Sequence, residues 1–229
     1  MGGRSAVYTF IPNLIGYARI ALAVGAFVVA AHAYVPFFIC YALSQILDIF
    51  DGQAARRYDQ STRFGAVLDM LTDRMSTLGL LMTLGQMYPS LALVWMALSV
   101  LDIVSHWAHM YGSLIRGLGS HKTMADGVHP LLRIYYTNRR VMGALILGNE
   151  GFFLGMYLYH FLPGPALAFA GGLHAVPLLL VLCFPLMAGK QLMNGIQLMQ
   201  AAEDIVRIDD ADILQRRSAA PAATAATGS

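Results

Sequence analysis

The stretch D-I-F-D-G-Q-A-A-R-R-Y-D-Q-S-T-R-F-G-A-V-L-D-M-L-T-D, residues 48–73, decides how the chain must be built. It places four acids, Asp48, Asp51, Asp69 and Asp73, inside or against two long apolar segments. On helices, Asp48 and Asp51 (i, i+3) share one face, and Asp69 and Asp73 (i, i+4) share another. An ionised carboxylate in a bilayer core is costly, and four facing one another would be unstable alone. Divalent cations remove the conflict, because hard ions take several carboxylate oxygens at once. The stretch therefore predicts a dinuclear metal site near a membrane surface.

Around the acids stand Gly52, Ala54, Ala55, Gly65 and Ala66. Small residues serve helix packing in most membrane proteins, but beside four acids they favour close approach of a ligand. Arg56 offers a planar cationic fork, suited to a phosphate or to organising the carboxylates. Its neighbours Arg57 and Arg63 read as ordinary flanking charge.

Outward from this stretch the chain is apolar. Its 229 residues are 57% hydrophobic and 12% charged, with mean hydropathy +0.58. A soluble domain carries about twice that charged fraction, so the composition is that of an integral membrane protein. A net charge of +2 gives no footprint for nucleic acid. Cys40 and Cys183 lie far apart in apolar segments and read as small buried residues.

An all-α bundle of six transmembrane helices is expected, from apolar segments near 12–33, 36–54, 63–86, 90–111, 141–162 and 173–202, with a polar connection at 112–139. The first could also be a signal peptide ending at Ala31-His32-Ala33, but Asn13 and Arg19 interrupt its apolar run and favour a retained helix. Arg19 by itself reads as a snorkelling side chain or as a ligand contact. The sixth segment, with Pro177 and Pro185, exceeds a perpendicular span and must tilt, bend or run on. A membrane domain over 1–202 and a tail over 203–229, charged and then low in complexity, are the expected divisions. Loops near 33–36, 87–90 and 162–172 lack Lys and Arg, so the positive-inside rule puts both termini and the four acids on the cytosolic side.

The spacing D-x-x-D-G-x-x-A-R, eight residues, then G-x-x-x-D-x-x-x-D resembles the signature of the CDP-alcohol phosphatidyltransferases. Asp48, Asp51, Gly52, Ala55, Arg56, Gly65, Asp69 and Asp73 meet it at every fixed position. Residues 11–20, 62–74, 105–109 and 132–137 are similar to the eukaryotic, inositol-using branch of that family. The resemblance implies transfer of a phosphatidyl group from CDP-diacylglycerol to myo-inositol, with two Mg²⁺ or Mn²⁺ ions. It implies Asp48, Asp51, Asp69 and Asp73 as metal ligands, with Asp73 also the general base. It places Asn13, Gly52, Ala55, Arg56 and Gly65 at the CDP-diacylglycerol, and Arg19 near the nucleotide. A homodimer, membrane-lipid contacts and residence in the endoplasmic reticulum are implied in the same way. Inositol phosphate, glycerol 3-phosphate or serine are alternative acceptors, and a divalent-cation transporter is an alternative of another class.

For the acceptor, the fourth segment offers Asp102, Ser105, His106 and His109 on one helical face. Inositol contact and interhelical polar pairing account for them about equally well. Arg133 and Tyr136 complete the acceptor candidates, with His121, Lys122 and Tyr135 at the same expected level. Asn149 and Glu150 carry no assignment beyond polar pairing.

Overall fold

A computed structural model describes residues 6–115, 128–162, 164 and 174–225, with side chains through Ser218. Two compact units make up the chain: Met1–Ser99 with Gly151–Val181, and Val100–Glu150 with Leu182–Ser229. Every regular element among the described residues is helical: α1 Ile11–Val29, α2 Tyr34–Arg57, α3 Arg63–Met87, α4 Ala92–Ile115, α5 Pro130–Thr137, α6 Arg139–Phe161 and α7 Ala175–Ala225. Short 3₁₀ turns precede α1 and α4.

Five of these, α1, α2, α4, α6 and α7, are long and apolar enough to cross a bilayer, as a multi-pass membrane protein requires. The expected third span, α3, has the length at 25 residues. Its first half holds Arg63, Asp69, Asp73 and Arg74, which remove it from the apolar class. The connection expected at 112–139 is partly helical. α4 continues to Ile115, and α5 forms where Pro130 opens the helix and His129 caps Leu131 N–H at 3.3 Å. Leu132 and Tyr135 of α5 bury against Met193 of α7. His121 and Lys122 lie outside the described residues. α7 runs on through the expected tail to Ala225, and most of its side chains from 202 to 218 are exposed.

In the first unit, local chemistry sets how α1, α2 and α3 meet. Residues 58–62 turn the chain between α2 and α3, with Asp59 at φ 54°, a left-handed conformation that Asp tolerates. Thr62 then caps α3 by accepting Gly65 N–H at 2.9 Å. Gln60 accepts Ile11 N–H at 2.9 Å, which ties the start of α1 to this link. At the other end of α2 an aromatic cluster closes the core, with Phe37 stacked on Tyr157 of α6 at 4.0 Å between ring centroids. The Tyr157 hydroxyl donates to the Ala30 carbonyl at 2.8 Å, so this buried phenol is satisfied.

Gly79 shows how closely α1 and α3 pack, since a Cβ there would lie 2.4 Å from the ring of Phe27. That ring also meets Phe37 and Tyr41, which limits its retreat. Gly79→Ala gains about 1 kcal/mol of helix propensity and loses about 1–3 kcal/mol to overpacking. A net fall in the thermal midpoint is expected in detergent. An unchanged midpoint would mean that the helices separate freely.

Candidate active site

The four acids meet around one cation. Arg19, in α1, has a side chain with no exposure, and its guanidinium reaches all four carboxylates. Nη2 lies 2.6 Å from Asp48 Oδ1 and 2.6 Å from Asp73 Oδ1. Nη1 lies 2.6 Å from Asp51 Oδ2 and 2.9 Å from Asp69 Oδ1. Two acids come from α2 and two from α3, in the pairing that the helical spacing predicts. Arg19 does not snorkel, because the cluster holds it inside the bundle. Ser44 pins the same turn by donating to the Arg19 carbonyl at 3.0 Å.

The donor set fits divalent cations. One oxygen from each of Asp48, Asp51 and Asp69 lies within 4.8 Å of the others. All the donors are hard carboxylate oxygens, and one guanidinium offsets only one of four negative charges. Exposure is graded across the group, with side-chain values of 10% for Asp51, 39% for Asp48 and 51% for Asp69. The accessible oxygens therefore belong to Asp48 and Asp69, and to Asp73, whose side chain is 33% exposed. Asp73 has a second cationic neighbour that the sequence did not signal: Arg74 Nη2 stands 3.7 Å from its Oδ2. Asp73 is thus clamped through Oδ1 and held loosely through Oδ2.

Beside the acids opens a cleft of 160 Å³, whose lining includes Asn13, Asp51, Gly52, Ala55, Gly65 and Asp69. Four of the five residues expected at the nucleotide lipid thus face one space. Asn13 is buried and donates from Nδ2 to the Val7 carbonyl at 2.6 Å. A Cβ on Gly65 would stand 3.0 Å from Asn13 Oδ1, so this glycine sets how closely α1 and α3 approach at the cleft. Arg56 is the exception. It is exposed, its guanidinium lies over Gly52, and it forms no ion pair among the described residues. Of its two expected uses, organising the carboxylates falls to Arg19 instead.

The second unit holds the acceptor candidates, and most are engaged in local contacts. Asp102 and Ser105 are buried, and Ser105 Oγ donates to the Asp102 carbonyl at 3.1 Å. His106 Nδ1 is 2.7 Å from that carbonyl and 3.6 Å from Asp102 Oδ1. His109 stacks on Tyr136, with ring centroids 5.9 Å apart. Burial, with Tyr135 alongside, pushes the Tyr136 phenol well above its ordinary range, so it stays a protonated donor. Arg133 is exposed on α5. The fourth-helix face also meets residues that composition concealed: Asn194 Nδ2 is 3.4 Å from Asp102 Oδ1, and Lys190 donates to Asn194 Oδ1.

The chain belongs to the CDP-alcohol phosphatidyltransferase family, whose sequence profile matches residues 9–123. It is 41% identical over 211 residues to the human CDP-diacylglycerol–inositol 3-phosphatidyltransferase, covering 92% of this chain and 98% of that one. The Schizosaccharomyces pombe enzyme of the same name is 40% identical over 228 residues, covering 93% and 94%. The Saccharomyces cerevisiae enzyme is 39% identical over 196 residues, covering 86% of each chain. No solved structure matches significantly.

Proposed function

We propose that this protein transfers the phosphatidyl group of CDP-diacylglycerol to a hydroxyl of myo-inositol, giving phosphatidylinositol and CMP. The observation that carries this reading is the convergence of Asp48, Asp51, Asp69 and Asp73 on Arg19 beside a cleft of small residues. Relatives bearing that enzyme name match over nearly the whole chain. Two divalent ions, Mg²⁺ or Mn²⁺, held by the four carboxylates, supply Lewis-acid stabilisation of the diphosphate and the leaving CMP.

The protein's own groups do the rest. Gly52, Ala55 and Gly65 let the nucleotide lie against backbone, and Asn13 offers a fixed amide at the cleft wall. Arg56, free to turn, neutralises a phosphate at the rim. Arg19 holds the carboxylates at fixed spacing, so the site needs little reorganisation as charge develops. Asp73 accepts the inositol hydroxyl proton at Oδ2, the oxygen that Arg19 does not clamp. The oxygen attacks the lipid-bearing phosphorus, the bond to the bridging oxygen breaks, and CMP departs with that electron pair. Asp102, His106, Arg133 and Tyr136 are the residues we assign to the acceptor.

α3 completes a six-span topology with both termini and the carboxylates cytosolic, and residues 203–229 form a charged, then low-complexity tail to the membrane domain. The enzyme works as a homodimer in the endoplasmic reticulum among membrane lipids. CMP release from CDP-diacylglycerol, with inositol, inositol phosphate, glycerol 3-phosphate and serine tried separately, tests the acceptor. Release is expected with inositol alone. Release with another acceptor would keep the metal chemistry and discard inositol. No release with any would favour cation transport.

A further inference from the structure

The link between α2 and α3 holds an amide whose orientation is fixed by the backbone around it. Gln60 is half-buried there, and its own N–H donates to the Ala55 carbonyl at 2.9 Å. Ser61 Oγ donates to the same carbonyl at 3.4 Å, which holds the link against the end of α2. The Gln60 side chain meets Ile11 N–H, an orphan donor at the start of α1, at 2.9 Å. A backbone N–H only donates, so the atom facing it is the amide oxygen, Oε1. Nε2 is left with both hydrogens and has no partner among the described residues. Gln60 also lines the cleft beside the acids.

Two more residues of the cleft are fixed in the same manner. Asn13, 1% exposed, donates from Nδ2 to the Val7 carbonyl at 2.6 Å. A carbonyl only accepts, so Asn13 Oδ1 is the atom left over, an acceptor. Thr62 Oγ1 accepts Gly65 N–H at 2.9 Å and keeps its own hydrogen to donate. Both oxygens border the space that Gly65 leaves open, since a Cβ there would stand 3.0 Å from Asn13 Oδ1 and 3.2 Å from Thr62 Oγ1. None of these three side chains is ionised, so together they discriminate by hydrogen bonding and not by charge. The acidic end of the cleft is separate, because Asp51 and Asp69 stand one helical turn from Ala55 and Gly65, away from the link. Divalent ions and a diphosphate suit that end, which leaves the link end to the nucleoside.

We propose that Gln60 selects the base of the nucleotide, its Nε2 donating to a ring acceptor of a 4-aminopyrimidine while Asn13 Oδ1 accepts from the exocyclic amino group. The cleft offers one oriented acceptor and two donors, the Thr62 hydroxyl being the second. The Watson–Crick edge of cytosine is the complement, with an amino donor and two acceptors, N3 and O2. Uracil has an oxygen in place of the amino group and a hydrogen on N3. It therefore sets an acceptor against Asn13 and a donor against the Gln60 amino group, and leaves both unpaired. Neither amide can turn over to suit it. Gln60 would lose Ile11 N–H, and Asn13 would set its oxygen against the Val7 carbonyl. Base selection of this kind rests on the phosphatidyl-transfer reading and adds to it the residue that tells CDP from UDP.

The test uses the full-length protein in nanodiscs with Mn²⁺, and reads apparent affinities for CMP and UMP from the rise each causes in the thermal midpoint. The wild type is expected to bind CMP about tenfold more tightly than UMP, or better. Gln60→Glu keeps an acceptor for Ile11 N–H and loses the donors, so the midpoint without nucleotide should hold. Its added charge weakens both nucleotides alike, and the ratio of the two affinities isolates the base. That ratio should fall about tenfold. Gln60→Met, which adds no charge, should lower the ratio as well. A wild-type ratio in folded Gln60→Glu protein would leave Gln60 only a cap of α1 and overturn the proposal. Equal binding of CMP and UMP by the wild type would overturn it too, with inositol-dependent transfer from CDP-diacylglycerol in the same nanodiscs left standing. CMP selectivity without transfer would keep Gln60 as the residue that selects the base and discard the reaction. Binding of neither nucleotide, with no transfer, would overturn both.

Discussion

Asp73→Asn should abolish phosphatidyl transfer while sparing the binding of CDP-diacylglycerol. Asparagine has nearly the shape of aspartate and can still accept from Arg19 through its amide oxygen. What it lacks is the second basic oxygen, the one at 3.7 Å from Arg74 and unclamped by Arg19. Asp48 and Asp69 also keep an oxygen that Arg19 does not clamp, but in this mechanism those oxygens hold the divalent ions. Asp51 is close to buried, and its Oδ2 lies against Arg19 at 2.6 Å. General-base loss costs a factor of about 10²–10⁴, and kcat should fall within that range. The cleft residues Asn13, Gly52 and Gly65 are untouched, so nucleotide-lipid affinity should change far less. Weakened binding with a normal maximal rate would remove Asp73 from the role of base.

Arg19→Gln is the other large effect, and it acts on the scaffold before it acts on chemistry. Removing the guanidinium leaves four carboxylates facing one another without a resident cation. Breaking a buried ion pair from one side costs about 3–5 kcal/mol. The lower end applies here, because Asp48 and Asp69 keep 39% and 51% of their side-chain surface and hence part of their hydration. In chelator, the thermal midpoint should fall by several degrees, about what 3 kcal/mol produces in a chain of this size. Divalent ions bind the folded cluster and stabilise it by mass action. They should raise the midpoint of the variant more than that of the wild type, because more negative charge remains to be neutralised. Equal metal-induced shifts in the two proteins would show that Arg19 and the ions do not share the same carboxylates.

The acid cluster was visible in the sequence because its information is local. Helical spacing alone pairs Asp48 with Asp51 and Asp69 with Asp73, and the turn at 58–62 brings the pairs together. Small side chains around them likewise announced the cleft, and Gly52, Ala55 and Gly65 do line it. Arg19 was harder. A lone arginine in an apolar run supports two readings, and only the packing of α1 against α2 and α3 selects between them. Arg74 was hidden for the same reason.

Composition misled in two further places. Residues 112–139 look like a polar connection, yet Leu132 and Tyr135 give α5 one buried face against Met193. Two turns are too short for periodicity to reveal. In the sixth apolar segment the average hydropathy masked Lys190 and Asn194, whose i, i+4 spacing does put them on one helical face. Their connection to Asp102 spans 92 positions in sequence and follows from tertiary structure alone.

The most direct test of the central claim supplies deuterated myo-inositol and CDP-diacylglycerol to the purified protein and measures both products. Wild-type protein with Mg²⁺ or Mn²⁺ should give deuterated phosphatidylinositol and CMP in equal amounts, and neither product with chelator or with Asp73→Asn. CMP without labelled lipid would make the protein a hydrolase of the nucleotide lipid. Labelled lipid formed at the normal rate by Asp73→Asn would place the chemistry outside the cluster gathered around Arg19.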